Sequence, residues 1–124
     1  LPGARVYRLV PLKEQRLRER DRLAISGTIT CASCGRSTAV TDIEVTLRRT
    51  LFDEGLVHTW TCPQCENHTI ISAFITTNGD AERAYWLAVQ RDSDPMNSGP
   101  AMGWPTLTID TLSSGSFEQV FAPR

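Results

Sequence analysis

A chain of 124 residues with 40% hydrophobic and 22% charged residues fits one folded domain and is too apolar to be wholly disordered. No apolar run approaches the ~20 residues of a membrane span, and the opening Leu-Pro-Gly-Ala-Arg lacks the apolar stretch of a secretory signal. The expectation is a soluble, intracellular protein, in the cytoplasm or within an assembled particle, with no membrane partner. The formal net charge of −1 conceals an asymmetry, because residues 1–22 sum to +4 and the remainder to −5.

Taken in chain order, residues 1–22 read as a basic arm. Lys13 to Arg20 are good helix formers, but only Leu12 and Leu17 interrupt the charges, so there is no apolar stripe to bury. From residue 23 the pattern turns to period two. Ile25, Gly27 and Ile29 share one face ahead of Cys31, and Ile43, Val45 and Leu47 alternate with Glu44, Thr46 and Arg48. Asp53-Glu54-Gly55 is a turn signal, which predicts a hairpin of 42–52 with 56–62. A further strand is expected over 69–76. Asp80 can cap a helix over about 81–90, with Ala81, Ala84, Tyr85 and Ala88 on one side. Pro95, Gly99, Pro100, Gly103 and Pro105 make the following stretch loop-like. Thr106 to Leu112 alternates as a short half-buried strand, and Ser116 to Gln119 has capping-box spacing, with Phe117, Val120 and Phe121 at i, i+3 and i+4.

The chemistry of the chain lies in its four cysteines, Cys31-Ala32-Ser33-Cys34-Gly35 and Cys62-Pro63-Gln64-Cys65. Two residues between cysteines let the backbone turn so that both sulfurs aim at one point, and two such knuckles complete a tetrahedron around Zn²⁺. Gly35 suits a left-handed conformation after the first pair, and Asn67 is the residue best able to adopt it after the second. The interval from Cys34 to Cys62 exceeds the roughly 15–20 residues common between such pairs, and the long hairpin accounts for it. Four thiolates leave no open position for water or substrate, so the site is expected to be structural, with one Zn²⁺ per chain. Disulfides and a thioredoxin-like redox pair are the competing readings. His58 reads as a packed side chain and His68 as a neighbour of the metal rather than a ligand.

On these residues the chain resembles the zinc-ribbon fold group over about residues 23–76, with CASCG as first knuckle and CPQC as second. It also resembles rubredoxin, an iron electron carrier, through Trp60-Thr61-Cys62-Pro63-Gln64-Cys65. It departs from that family at Glu66, where a glycine is usual. The resulting expectation is a small β-rich α+β fold: a zinc ribbon of three to four antiparallel strands plus one helix, with extended N- and C-terminal arms. Its divisions are a basic arm at 1–22, the ribbon with its helix at 23–91, and a loop-rich arm at 92–124.

No nucleophile, base and orienting group assemble in the sequence, so no enzyme and no small-molecule substrate are expected. The expected function is that of a zinc-binding structural or adaptor subunit, of the zinc-finger type, docking into a large assembly such as a viral particle, ribosome or transcription complex. Phe117, Val120 and Phe121 are the candidate docking residues, and other protein subunits are the partners. The alternative is nucleic-acid binding through Arg16, Arg18, Arg20 and Arg22, with Arg48 and Arg49 as further candidates, since arginine grips phosphate bidentately. A rubredoxin-like iron carrier is the remote alternative.

Overall fold

The computed structural model describes residues 7–13, 17–78, 82–91 and 105–116. Seven strands follow one another: β1 Tyr7–Leu12, β2 Asp21–Thr30, β3 Ser37–Arg48, β4 His58–Thr61, β5 His68–Asn78, β6 Glu82–Arg91 and β7 Thr106–Ser116. They form a sheet of order β1-β6-β5-β3-β2-β7, with β4 on β5, which curls into a nearly closed barrel. There is no helix among the described residues, which corrects the expected α+β ribbon of three to four strands.

The expected helix over 81–90 is strand β6, paired antiparallel with β5 from Thr69↔Arg91 to Asn78↔Glu82. Its alanines favour a helix by only tenths of a kcal/mol each. Against that stand Tyr85, Leu87 and Val89, which repeat every second residue and are all buried. Each is worth about 1.5–3 kcal/mol in the core, and only an extended backbone points all three the same way. Residues 79–81, including the expected cap Asp80, lie outside the described residues.

The expected arms also give way to strands. β1 pairs with β6 from Tyr7↔Gln90 to Leu12↔Tyr85. Leu12 and Leu17 join the core, and the Tyr85 hydroxyl donates to the Leu17 carbonyl at 2.9 Å. At the other end, the strand expected from Thr106 is β7, which pairs along the whole of β2.

The predicted hairpin of 42–52 with 56–62 is replaced by two others. β3 pairs with β2, from Arg22↔Thr46 to Thr30↔Ser37, and β4 pairs with β5, from His58↔Ile71 to Thr61↔His68. Between β3 and the chain entering β4, the Thr46 amide donates to the Leu56 carbonyl at 2.9 Å. Turn chemistry at 53–55 reverses the chain, but β2, with buried residues at every second position, offers β3 the better apolar partner.

Two antiparallel units result, β7-β2-β3 and the group around β5. A short parallel bridge joins them, Leu47↔Ala73 and Arg48↔Phe74. Their inner faces fill a single core of Leu23, Ile25, Ile29, Ile43, Val45, Leu47, Ile71, Ala73, Ile75, Leu87 and Val89, among others. β2 approaches β7 so closely at the bulge beside Gly27 that a Cβ there would run into the carbonyl oxygen of Thr108. Gly27→Val is accordingly expected to cost at least about 1–3 kcal/mol, as overpacking does, read as a fall in the urea midpoint.

Candidate metal centre

Each cysteine pair forms the end of a hairpin, and the two ends are built alike. β2 and β3 close at Thr30↔Ser37 around residues 31–36; β4 and β5 close at Thr61↔His68 around residues 62–67. In the first, the Cys31 amide donates to the Arg36 carbonyl at 2.9 Å and the Gly35 amide to the Cys31 carbonyl at 3.1 Å. In the second, the Cys62 amide donates to the Asn67 carbonyl at 2.9 Å and the Glu66 amide to the Cys62 carbonyl at 3.0 Å. Below each knuckle a side-chain hydrogen bond ties the strands, Thr30 to Ser37 at 2.9 Å and Thr61 to His68 Nδ1 at 2.8 Å.

The equivalence extends to the backbone. Gly35 has φ 74° and Glu66 has φ 65°, so Glu66, rather than the expected Asn67, occupies the left-handed position of the second knuckle. A side chain with a Cβ is disfavoured there by roughly 1–2 kcal/mol. Glu66→Gly is expected to raise the stability of the metal-loaded protein by about 1 kcal/mol, because glycine's greater unfolded-state freedom offsets part of the relief. Gly35→Ala is expected to lower it by about as much. A urea titration monitored by tryptophan fluorescence reads both.

Because β3 and β5 leave their knuckles in parallel and meet further along, the two knuckles lie side by side. The Sγ atoms of Cys31, Cys34, Cys62 and Cys65 all fall within 4.8 Å of one another. Cys31 and Cys65 are 3.4 Å apart, and Cys34 and Cys62 are 3.6 Å apart. A disulfide needs about 2.05 Å, whereas a tetrahedron with 2.3 Å bonds has sulfurs about 3.8 Å apart. The cysteines are free, and their spacing fits one four-coordinate ion.

Two of the sulfurs accept hydrogen bonds from neighbouring N–H groups. Cys31 Sγ accepts from the Ser33 amide at 3.4 Å, and Cys65 Sγ from Asn67 Nδ2 at 3.3 Å. Burial pushes the Cys31 thiol up to about 12 in the absence of a metal. Burial also acts to raise Cys62, but the Cys65 and Gln64 amides and the neighbouring Cys34 and Cys65 bring it down to about 7. An ion must therefore displace protons to bind, which ties its affinity to pH. Arg36 Nη1 donates to Gln64 Oε1 at 3.0 Å and fastens one knuckle to the other.

The arginines predicted to bind a partner differ in their surroundings. Arg18 and Arg20 are exposed, Arg22 pairs with Glu44 at 2.9 Å, and Arg49 pairs with Glu19 at 3.3 Å. Arg48 is buried, its pKa lowered by that burial against the pull of Asp53, and donates to the Asp53 carbonyl at 2.6 Å. Arg16, Phe117, Val120 and Phe121 lie outside the described residues. His58 is partly buried, which lowers its pKa.

A feature that the sequence reading missed is the loop between β3 and β4. Phe52 is 87% exposed there, beside exposed Leu56 and Val57. Thr50 shapes the turn: its carbonyl accepts from the Asp53 amide at 3.3 Å, and its hydroxyl accepts from the Phe52 amide at 3.3 Å and donates to Asp53 Oδ1 at 3.3 Å. The stem of Arg48 fills the space a Cβ on Gly55 would take. The turn signal was legible in the sequence, but the exposure of Phe52 depends on where β3 pairs.

No helix among the described residues is long and apolar enough to cross a membrane. Comparison with protein-family models, with curated proteins and with solved structures finds no match for this chain.

Proposed function

We propose that the chain is a non-enzymatic subunit whose four cysteines hold one structural Zn²⁺, and that it docks onto other proteins of a larger assembly. The observation that carries the proposal is the convergence of four sulfurs from two equivalent knuckles. Four thiolates fill the coordination shell and leave no position for water or substrate, as in structural zinc sites. Docking is supported by Phe52, a large apolar side chain held in solvent by a hydrogen-bonded turn. Such a side chain is preorganised to enter an apolar pocket with little ordering cost. Nucleic-acid binding is the weaker reading, since Arg22 and Arg49 already face carboxylates and phosphate would have to compete for them.

The test compares the full chain with Phe52→Asp, both metal-loaded, in recovery of partner subunits from the native source and in retention on duplex DNA and RNA columns. The docking reading expects equal metal content and melting temperature, at least tenfold less partner recovered with the variant, and no retention at about 0.15 M salt. Retention that falls steeply with salt would instead establish the nucleic-acid reading.

A further inference from the structure

The four sulfurs are not equally accessible. Cys31 and Cys62 are buried, Cys65 is half-buried and Cys34 is exposed. The arrangement also couples accessibility to pairing across the knuckles, because exposed Cys34 lies 3.6 Å from Cys62 and half-buried Cys65 lies 3.4 Å from Cys31. An oxidant arriving from solvent meets Cys34 first, and the thiolate poised to resolve the product belongs to the other hairpin. Susceptibility to oxidation follows thiolate character and exposure together, and a metal-bound cysteine is held as thiolate.

Resting on the zinc reading above, we infer that this centre is also an oxidant-sensitive modification site: peroxide joins Cys34 to Cys62 as a disulfide, which expels the ion yet keeps the two hairpins joined. The Cys34 thiolate attacks one peroxide oxygen, the O–O bond breaks, and with one proton taken up the products are a sulfenic acid and water. The Cys62 thiolate then attacks the Cys34 sulfur, an S–S bond forms, the S–O bond breaks, and the oxygen leaves with a second proton as water. Two electrons from two sulfurs thus reduce one hydrogen peroxide to two waters. The ion, left with Cys31 and Cys65 alone, has lost half its ligands and dissociates.

The consequence for the fold depends on which sulfurs pair. A disulfide within a knuckle, Cys31 with Cys34 or Cys62 with Cys65, would leave β2-β3 and β4-β5 with no covalent or metal tie at this end, only the Arg36–Gln64 hydrogen bond. A disulfide across the knuckles replaces the lost ion with a covalent tie at the same place. The centre would then respond to oxidation by exchanging one clamp for another, and reduction in the presence of zinc would restore the first.

Proteolysis reads the pairing directly. Trypsin cleaves after Arg22, Arg36, Arg49 and Arg83, so Cys31 and Cys34 fall in peptide 23–36 and Cys62 and Cys65 in peptide 50–83. The full zinc-loaded chain is treated with hydrogen peroxide, released zinc is followed with a chromophoric chelator, and the digest is analysed without reduction. The expected result is release approaching one zinc per chain, peptides 23–36 and 50–83 linked through Cys34 and Cys62, and reversal by dithiothreitol with added zinc. The oxidised, zinc-free chain is also expected to melt above the reduced chain stripped by a chelator. Separate peptides that each carry an internal disulfide, disulfides between chains, or zinc retained after oxidation would each overturn the inference while leaving the zinc reading intact. Elemental analysis before oxidation separates the two, since a folded chain with no zinc at the start overturns both.

Discussion

Serine at position 62 is expected to abolish cooperative folding of the chain at room temperature, or to lower its melting temperature by tens of degrees. Cys62 is fully buried and packed in the core, yet the larger effect comes through the ion. Structural zinc contributes roughly 10–16 kcal/mol of apparent binding energy in small domains, against about 5–15 kcal/mol for the whole stability of a typical domain. The topology says why such an ion would matter here. Among the described residues the strands of the two hairpins pair at Leu47↔Ala73 and Arg48↔Phe74, with a further backbone hydrogen bond from Thr46 to Leu56, and the knuckles lie at the opposite end of β3. Without the ion that end has four thiols packed together, and burial disfavours ionisation of Cys31. Circular dichroism melts of Cys62→Ser and of wild type with excess chelator should agree. A variant that melts within a few degrees of the metal-loaded protein would show that the apolar core suffices alone.

The second large effect is expected at Trp60. Its strand, β4, has four residues and pairs only with β5 among the described residues, so hydrogen bonding alone holds it weakly. The indole is buried in the common core, directly before the second knuckle. Trp60→Ala is expected to cost about 3–5 kcal/mol, the range for removing a large buried aromatic side chain. Because the knuckle begins two residues later, part of that cost should appear as faster zinc loss to a competing chelator. A urea titration at fixed metal content gives the first quantity. A change below about 1 kcal/mol would mean that the indole is not packed as the structure has it.

The cysteine cluster was legible because its information is local: two residues between cysteines fix where each pair points, and little else in the chain can change that. The strands near it were legible for a similar reason, since Ile25 and Ile29, or Ile43, Val45 and Leu47, repeat at the period of a pleated strand and are buried together. What failed were judgements that depend on partners. Residues 81–90 hold alanines at helical spacing and Tyr85, Leu87 and Val89 at strand spacing, and only β5 lying alongside decides between them. Tyr7–Leu12 read as part of the arm because only Leu12 and Leu17 interrupt the charges that follow and leave no apolar stripe to bury; β6 supplies the partner. Pro11 fits there because β1 is an edge of the sheet among the described residues, where proline is tolerated. Glu66 was passed over for Asn67 because intrinsic preference favours asparagine at positive φ. Placing CASCGR over CPQCEN position by position aligns Gly35 with Glu66 and gives the observed answer.

Whether four sulfurs from two equivalent hairpin ends close around one zinc ion, as proposed, is tested by elemental analysis of the folded chain, purified without chelator under reducing conditions. The expected result is one zinc per chain, a colourless protein, and four thiols titrated once the metal is removed. A cooperatively folded chain with well under one zinc, or one carrying iron in its place, would contradict it.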